Sequence, residues 1–479
     1  MLKVYINKKA GAYITVSVSL IMGILLSFIL VLFKSAGMGY SNLRAEATVE
    51  ICNEAVLGEY HKELFDRFGL LLLDTSYKSG EPKIENVKER IKEYADKNLR
   101  LSMSGRLMNR TSLVSVNCVD VDISSYRLAA DGDGEVFRDQ ILKYMCLYGS
   151  NSYIGEVYEN VGVLKEKSYD TTDIEEKRRN NLNELDLYIN DEGKEKLSEE
   201  APIIEEIKQT AGKGLLEICH PDVSSISSVS CDLSKLASKR NLMHGNKNVR
   251  NSKASIKEML LIDMYILQKC GRYSKENEGS LLKYQVEYIC AGNDSDKANL
   301  SEVAATIFFW REASNFAYIV NDREKCTVAE TIGAAVALLC LEPSLEGIVK
   351  NAVLLSWSFS ESISDMNILF KGGKVPLVKD KDSWKTGKLQ MPFFDDKTSG
   401  KGLDYTEYLA MLLLTTGYRE KIYRLMDIME MDIRQTKGNE NFQIDGCMES
   451  ATANIAFESS VGYRSIKIKE IGYNSRDGE

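Results

Sequence analysis

An uncharged apolar segment close to the N-terminus constrains this chain more than any other feature of its sequence. Residues 12–33 read AYITVSVSLIMGILLSFILVLF and contain no charged side chain. A helix of that length rises about 33 Å, which is enough to cross a hydrocarbon core of about 30 Å. The segment therefore predicts a single transmembrane helix over residues 12–33, embedded in membrane lipid.

The charges on either side of this segment predict its orientation. Residues 1–11 carry three lysines and no acidic residue, whereas glutamates outnumber basic residues between positions 34 and 59. Cytoplasmic flanks of membrane helices are enriched in Lys and Arg. We therefore expect a single-pass protein of the plasma membrane, with residues 1–11 in the cytoplasm and the C-terminal region outside the cell.

A cleaved secretory signal is the alternative interpretation of the same segment. Such signals have an apolar core of about 7–15 residues that ends in a small-residue cleavage site. The apolar segment here is longer, no A-x-A site closes it, and the residues after Phe33 continue in a helical pattern. We favour a retained anchor.

The residues after the anchor predict that its helix continues beyond the membrane. Leu43, Ala47, Ile51 and Ala55 recur every four residues, with glutamates beside them, which is typical of an amphipathic helix. We expect one helix over about residues 12–65, with its first half in lipid and its second half packed on a soluble domain. This is the physical plan of a pilin-type N-terminal helix.

The composition predicts a folded chain dominated by helices. Of the 479 residues, 44% are hydrophobic and 27% are charged, and there are only 6 prolines, so we expect an α+β fold with small β elements. Three regions are expected after the anchor. They are a membrane-proximal α+β region at residues 34–150, a charged helical linker at residues 151–206, and a helix-rich region with terminal strands at residues 207–479.

Local patterns place individual elements within these regions. Alternating apolar residues predict half-buried strands at 119–123 and 466–468, and an apolar run predicts a buried strand at 68–73. The run at 332–341 is too short to cross a membrane and predicts a buried helix. Helical periodicity or capping signals predict five further helices, near residues 85–101, 300–308, 345–353 after Pro343, 404–414 with a capping box of Asp404 and Glu407, and 422–433.

The charge balance excludes one class of partner. The chain has 61 basic and 70 acidic residues, a net charge of −9, and no long basic block. Affinity for nucleic acid depends on clustered Lys and Arg. We therefore expect no nucleic-acid partner.

Motifs that carry catalysis or ligand binding are not found. His61, His220 and His244 lie far apart and lack the spacing of metal ligands, and we expect His61 to be solvated on the polar face of the long helix. Residues 212–214 (GKG) lack the upstream Gly and the following Ser or Thr of a phosphate-binding loop. We therefore assign no catalytic, cofactor-binding or metal-ligating residue and expect a protein that is not an enzyme.

Two acidic clusters and one glycine-containing loop are the remaining candidates. Residues 131–135 (DGDGE) and 293–296 (NDSD) could bind calcium, but they lack the ligand loop of an EF-hand, and we favour turns and helix caps. Residues 371–379 (KGGKVPLVK) could form a binding loop. We favour a structural hairpin in which Pro376 suits an edge strand and Trp384 is packed.

The cysteines leave two alternatives open. Ten are scattered through the chain and none forms a C-x-x-C pair, which argues against a zinc ribbon or a thioredoxin-like motif. An even number outside the membrane permits disulfides, whereas cysteines in apolar surroundings behave as small buried hydrophobic residues.

Several segments of the chain resemble one family. AGAYITVSVSLIMGILLSFILVLFKSAG and LRAEATVEICNEAVLGEYHKELFDRFGLLLLD resemble the start of an uncharacterised family of Gram-positive proteins. That family has a TadE/TadG-like N-terminus and is associated with the Flp/Tad type of type IV pilus. Its recurring segments are also similar to VEYICAGNDSDKANL, REASNFAY, GGKVPLVKDKDSW, GLDYTEYLAMLLL and YRLMDIMEMDIR. The resemblance covers most of the chain and is weakest across residues 158–243.

The resemblance implies a membrane-anchored component of a Tad-like pilus or secretion apparatus, either minor-pilin-like or an assembly protein. Its implied partners are other proteins of that apparatus, and the amphipathic half of the first helix could pack against sister subunits. One departure concerns processing. Prepilins usually carry Gly at the cleavage site and Glu five residues into the mature chain, whereas after Gly11 that position holds Val16.

Two other functions stay open from the sequence. A cell-surface adhesin on a membrane anchor needs no cytoplasmic output domain, which the short N-terminal flank would not house. A membrane-tethered hydrolase could use paired carboxylates, and a deep pocket holding two carboxylates with raised pKa values would favour it. We favour the structural or assembly role.

Overall fold

The structure, a computed structural model, divides the chain into two compact units, each drawn from separated parts of the sequence. The described residues are 2–100, 114–149, 171–210, 213–249, 253–386 and 402–473. The first unit comprises residues 1–137, 242–251 and 438–479, and the second comprises residues 138–241 and 252–437. Helices dominate and the strands form one small antiparallel sheet, which confirms the α+β prediction.

The first unit begins with one uninterrupted helix, α1, over Leu2–Leu57. In the described part of the chain, α1 is the one helix long and apolar enough to cross a membrane, and its most apolar window is not buried. The predicted continuation beyond the anchor is confirmed, but the predicted end near residue 65 is wrong. The chain turns after Leu57 because His61 caps a separate short helix, α2, over Lys62–Phe68.

The remaining helices of the first unit are α3 over Ile84–Leu99 and α4, which starts in this unit and spans Asp131–Tyr148. The strands are β1 (Leu73–Asp74), β2 (Val116–Leu128), β3 (Cys447–Ser459) and β4 (Arg464–Gly472). All pairings are antiparallel and all involve β3, which pairs with β1 at its start, with β2 along its length and with β4. Of the predicted strand at 68–73, Leu73 alone lies in a strand.

One face of this sheet is covered by α1 and α3. The buried core combines small and β-branched residues from both helices with the inward residues of β2 and β3. Its central members are Val49, Cys52, Val87, Ile91, Val121, Ile123, Ile455 and Phe457. Gly37 lies at the edge of this packing, where an added Cβ would be 3.1 Å from Val461 and 3.3 Å from Val114.

The two predicted half-buried strands exist, but their faces differ in part from the prediction. Val119 is 52% exposed because β2 bulges between Cys118 and Asp120, which removes one residue from the alternation. In β4, Ile466 and Ile468 lie on the exposed face and are 68% and 71% exposed. The lysines of β4 point towards α1 instead, where Glu46 and Glu50 lie opposite them (Lys467–Glu46 and Lys469–Glu50).

The second unit is helical in its described residues, apart from isolated bridges. After α4 its helices are α5 (Thr171–Tyr188), α6 (Asp191–Glu200), α7 (Ile203–Thr210), α8 (Leu215–Cys219), α9 (Ile256–Lys269), α10 (Gln285–Ala291), α11 (Asp296–Ile319), α12 (Arg323–Cys340), α13 (Leu345–Phe370), α14 (Tyr405–Thr415) and α15 (Tyr418–Arg434). Its longest helices, α11 and α13, pack against each other, and α12 packs on α13.

The five helices that the sequence individually predicts in the second unit are present as parts of α11 to α15. The capping box of Asp404 and Glu407 at the start of α14 is confirmed. Pro343 precedes the N-cap Ser344 rather than occupying the first turn of α13. The helix at 332–341 is present, but its end is not buried, because α12 uses one face for packing and leaves Leu338 74% exposed.

Of the region expected to be a charged linker, residues 151–206, the described part from residue 171 falls within the second unit. Residues 150–170 lie outside the described residues, and from Thr171 the chain forms α5, α6 and the start of α7. Buried residues such as Leu185 and Leu197 attach these helices to their neighbours.

Candidate functional site

The first candidate site is the face of α1 that points away from the sheet. The predicted packing stripe of Leu43, Ala47, Ile51 and Ala55 is wrong, because its first three side chains are exposed, Leu43 by 67%, and only Ala55 is partly buried. The buried stripe consists of Ser41, Ala45, Thr48, Val49, Cys52 and Val56. A strict four-residue repeat drifts around a helix of 3.6 residues per turn, whereas the spacing of Ala45, Val49, Cys52 and Val56 stays on one side.

The exposed residues form what we call the outward stripe of α1, defined as Tyr40, Leu43, Ala47 and Ile51. Tyr40 is 49% and Ile51 is 45% exposed. The stripe continues directly from the apolar segment of the same helix. Large apolar side chains in a contiguous exposed row mark a surface for interaction.

The second candidate is a cluster of buried charges that we call the charge network, made of Arg311, Glu361, Asp365 and Lys379. The Arg311 guanidinium lies 3.0 Å from the Asp365 carboxylate, and the Lys379 ammonium lies 2.6 Å from Asp365. Lys379 also lies 2.5 Å from Glu361. Two cations therefore face two carboxylates, and all four side chains are buried.

Neutral partners complete the hydrogen bonding of this network. Arg311 also donates to Asn315, to the Tyr408 hydroxyl and to the Leu377 carbonyl. Glu361 accepts from the backbone N–H groups of residues 385 and 386 and from the Thr386 hydroxyl. Buried charges persist when their hydrogen bonds are satisfied. The arrangement is that of a structural clamp.

The clamp holds the loop that follows α13. Residues 371–379 do not form a hairpin with each other: Val375 exchanges both backbone hydrogen bonds with Leu403 at 2.9 Å. Gly402, with φ +114, allows this approach, since an added Cβ would collide with the backbone of Val375. Trp384 packs against Tyr318, with ring centroids 5.4 Å apart. The predicted packing of Trp384 is confirmed and the predicted hairpin is wrong.

Opposing effects set the pKa of Asp365. Burial alone would raise it, but Arg311 and Lys379 outweigh burial and hold the pKa below its usual value. Asp365 is therefore ionised at neutral pH and serves as the shared anion of the network.

Other buried carboxylates of the second unit have raised pKa values, unlike Asp365. Burial raises the pKa of Glu287 to about 7, although Glu287 accepts hydrogen bonds from the Tyr405 hydroxyl and the Tyr273 N–H. Burial also raises the pKa of Glu312 to about 7 and that of Asp263 to about 6. Single cations face these last two, Arg178 at 2.9 Å from Glu312 and Lys421 at 2.5 Å from Asp263.

The carboxylates with raised pKa values do not line the clefts found in the described residues. One cleft of about 360 Å³ lies among α5, α6 and α7, and another of about 320 Å³ is lined by residues of α10, α11, α14 and α15. An open groove of about 890 Å³ runs between the end of α11 and residues 378–381. The pairing of a pocket with two raised carboxylates, which would favour a hydrolase, is therefore not seen in these clefts.

The position of His61 contradicts the prediction that this side chain is solvated. It lies between α1 and α2, where it is 5% exposed. Its Nδ1 accepts the Leu64 N–H at 3.1 Å, which caps α2, and its Nε2 lies 3.3 Å from the Asn439 side-chain oxygen. Burial lowers its pKa. The prediction placed His61 on the first helix, which ends at Leu57 in the structure. Because a new helix starts after this end, His61 becomes its N-cap.

The other two histidines also have structural partners. His220 is buried, with Nε2 2.8 Å from the Tyr273 hydroxyl, and burial lowers its pKa. His244 lies in the first unit with Nδ1 3.2 Å from Asp131. Among the described residues, no group of three or more His, Cys, Asp or Glu side chains is arranged to hold a metal ion.

The two acidic clusters serve backbone geometry. Asp131 accepts the N–H groups of Leu128 and Gly245, each at 2.8 Å. The three residues after it, 132–134, all have left-handed backbone angles, with φ of 65°, 55° and 82°. In the other cluster, the fully buried Asp296 accepts the N–H groups of Lys283 and Tyr284.

The phosphate-loop lookalike at residues 212–214 and the cysteines are the remaining features considered in the sequence. Gly212 lies outside the described residues, and Gly214 is the N-cap of α8 without a side-chain hydrogen bond. No disulfide links the cysteines in the part of the chain that the structure describes. Burial raises the pKa of Cys52 to about 12 and that of Cys118 to about 11, so both are protonated thiols of the first core.

Sequence reasoning missed the charge network, although a signal was present. Arg311 and Asn315 lie one turn apart on α11, and Glu361 and Asp365 lie one turn apart on α13. Charged residues inside otherwise apolar helices at this spacing indicate partners on a neighbouring element. Nothing local to Lys379 identifies it as the partner.

Comparison with known proteins gives one match. No curated protein and no solved structure matches the chain. Residues 193–459, more than half of the chain, match a family described as a family of unknown function (DUF5702). The match includes the charge network and β3, and it leaves α1 outside. The chain belongs to the DUF5702 family.

Proposed function

We propose that the protein is a membrane-anchored, non-enzymatic component of a Tad/Flp-like pilus or secretion apparatus, either minor-pilin-like or an assembly protein. The observation that carries this proposal is that the two parts of α1 have different surroundings. Residues 13–33 are apolar and exposed on all sides, and the second half of α1 is buried on the sheet along one face and carries the outward stripe on the other.

The first half of α1 supports membrane anchoring. Its side chains from Tyr13 to Phe33 are exposed, including Leu20, Ile24 and Phe28 at about 60% each. Such a row has no soluble partner in the first unit and is stabilised by lipid. Together with the lysines before it, this segment supports an N-terminus in the cytoplasm and both units outside the cell.

The second half of α1 supports assembly. The outward stripe lies next to the membrane segment on the same rigid helix, so an anchored copy presents the stripe at a fixed depth. Confinement to a membrane raises the effective concentration of neighbouring copies. Contact between apolar side chains on adjacent helices then gives self-association or docking to another apparatus protein.

The state of the buried charges supports a non-enzymatic role. In the charge network, each basic side chain faces an acidic one, and backbone groups or hydroxyls satisfy the remaining hydrogen bonds. Catalytic carboxylates need access to a substrate, whereas Glu361 and Asp365 are fully buried. The network fixes a loop and leaves the protein surface to make contacts.

A cell-surface binding module is the second candidate. The open groove of about 890 Å³ favours it, since it is lined by Tyr318, Asp322 and Asp380 on the second unit. Binding of the purified protein to host or matrix material without pilus proteins would favour this module. Loss of that binding in Tyr318→Ala would place it in the groove.

The assembly role is tested by cofractionation. Full-length protein with Leu43→Asp and Ile51→Asp is compared with the wild type for presence in sheared surface appendages and in detergent-extracted complexes. We expect loss from both fractions. Ile466→Asp is the control, because Ile466 is exposed to a similar degree on the sheet. Equal behaviour of the stripe variant and the wild type contradicts the proposal.

A further inference from the structure

The packing of the first unit begins directly where the apolar segment of α1 ends. Residues 13–36 are exposed on all sides of the helix, and Gly37 is the first buried residue after them. Because α1 is uninterrupted, no flexible linker separates its two parts. From Phe33 to Gly37 the helix rises about 6 Å, and the headgroup layer on each side of a bilayer is about 5–8 Å thick. In a chain anchored by α1, Gly37 therefore lies at the level of the lipid headgroups, and a tilt of about 20° changes this level by only a few Å.

The turn between β3 and β4 lies against α1 at this level. An added Cβ on Gly37 would be 3.1 Å from Val461, so the glycine allows the turn to approach the helix closely. The Tyr463 hydroxyl donates to the Asn42 side chain at 2.9 Å, which ties the turn to α1. The Ser460 N–H donates at 3.0 Å to the backbone just before β2. The turn is therefore fixed on α1.

The sheet extends from this turn away from the apolar segment. Along β4, Lys467 lies 2.9 Å from Glu46, and further on Lys469 lies 2.8 Å from Glu50. Beyond the end of β4, the Tyr473 hydroxyl donates to the last carbonyl of α1. Strand and helix therefore run in the same direction, and the turn is at the end of β4 nearest the lipid.

Two exposed cations lie beside this turn. Lys34 is three residues before Gly37, about one helical turn closer to the membrane on the same side of α1. Arg464 begins β4, and its side chain is 80% exposed. Its partner Glu458, at 2.8 Å, is 45% exposed, and an exposed pair of this kind exchanges partners at little cost. Lys and Arg side chains near a membrane surface extend towards the lipid headgroups.

We propose that the turn at residues 460–463 is a second membrane contact of this chain. It rests in the headgroup layer, and Lys34 and Arg464 face lipid phosphates. This contact rests on the anchoring by α1 that the proposed function assigns, and it goes further, because an anchor alone requires no contact between the sheet and the lipid. The contact fixes the height of the first unit above the membrane and therefore the height of the outward stripe.

The test uses the full chain in nanodiscs of phosphatidylcholine with a minor fraction of phosphatidylglycerol. The photo-reactive residue benzoylphenylalanine replaces Ser460, which is exposed in the turn, and lipid adducts are measured by mass spectrometry after irradiation. The matched position is Ile468, which is 71% exposed on β4 but lies about 13 Å beyond Arg464. A third position, Leu25 in the apolar segment, reports anchoring by itself.

A further variant lifts the first unit without changing its packing. An inserted heptad of Ala, Glu and Lys after Ser35 continues the helix, raises Gly37 by about 10 Å and rotates it by only about 20°. With the native spacing we expect lipid adducts at Ser460 and Leu25 and none at Ile468. In the insertion variant, we expect the adducts at Ser460 to be lost and those at Leu25 to remain.

The two cations are tested through the lipid composition of the adducts. We expect phosphatidylglycerol to be enriched among the Ser460 adducts over its share of the nanodisc, by up to about fivefold for each cation. The variant K34E/R464E should lose this enrichment. The control Lys247→Glu should keep it, because Lys247 pairs with Glu470 towards the other end of β4, at 2.7 Å.

The possible failures are distinguishable. Adducts at Leu25 without adducts at Ser460 would show that α1 anchors the chain but the turn stands clear of the lipid, which overturns this proposal and leaves the proposed function intact. Absence of adducts at both positions would remove the anchor and both proposals with it. Adducts at Ser460 that persist in the insertion variant would show that the contact is not set by the helix. Unchanged enrichment in K34E/R464E would overturn the role of the two cations.

Discussion

The Arg311 guanidinium and the Asp365 carboxylate form an ion pair of 3.0 Å in which neither side chain is exposed to solvent. The pair joins α11 to α13, and Lys379 extends it to the loop after α13. Two segments that lie far apart in the sequence thereby become one rigid element of the second unit. Because the pair is buried, its loss is more costly than that of any surface pair.

Arg311→Met is expected to destabilise the second unit by about 3–5 kcal/mol. The substitution keeps much of the side-chain volume but leaves Asp365 and Glu361 to share the single cation Lys379. Thermal unfolding of the full chain in detergent micelles measures the change. Lys381→Ala is the control, since Lys381 pairs with Glu324 on the surface at 3.6 Å. An equal, small shift for both variants would show that the network is not a clamp.

Glu287 gives a prediction for pH dependence. Burial raises its pKa to about 7 in the folded chain, above the value of about 4.3 in an unfolded chain. The folded state binds the extra proton between these values, so its contribution makes stability fall as pH rises from about 4.3 to 7.

Glu287→Gln removes this titration and keeps an oxygen that accepts from Tyr405 and Tyr273. We expect the variant to lose part of the decline in unfolding free energy across that pH range. Glu346→Gln, at an exposed position of α13, serves as the control. An unchanged pH profile for Glu287→Gln would show that this carboxyl does not titrate in that range.

The cap of α2 gives a third prediction. His61→Ala removes the side-chain acceptor for the Leu64 N–H and the contact with Phe442, whose ring centroid is 4.6 Å away. We expect a loss of about 1 kcal/mol or more of unfolding free energy. His61→Asn keeps a capping oxygen and should recover part of the loss. No recovery would mean that packing, and not capping, is the role of His61.

A matched pair on α1 separates folding from assembly. Val49 is 5% exposed in the core of the first unit and Leu43 is 67% exposed on the outward stripe. Val49→Asp buries a charge and should make the first unit sensitive to protease. Leu43→Asp should leave protease resistance unchanged. If the two variants unfold to the same extent, the assignment of the two faces is wrong.

The sequence predicts the elements of this fold better than their faces. The apolar segment at 12–33, the helices and the strand alternation are local features, and periodicity reveals them. The packed face of α1 is not local. Alanine occurs on both sides of that helix, buried at Ala45 and exposed at Ala47, and contact with the sheet selects Val49 and leaves Leu43 exposed.

The candidate sites were harder to predict for the same reason. In β4 the isoleucines were expected inside, but Lys467 and Lys469 find glutamates on α1 and therefore occupy the inner face. The charge network brings together residues from α11, α13 and the following loop. Pairings between such distant positions depend on the tertiary fold and leave no local spacing to detect.

The proposed function requires that α1 anchors the chain with both units outside the cell, where they serve a surface apparatus. This arrangement is tested by protease treatment of intact cells that carry an epitope tag at each end, with sheared appendages probed in parallel. We expect the C-terminal tag to be removed, the N-terminal tag to be protected, and the protein to be found in the sheared fraction. A C-terminal tag protected in intact cells but cleaved after lysis would contradict it, because both units would then lie in the cytoplasm.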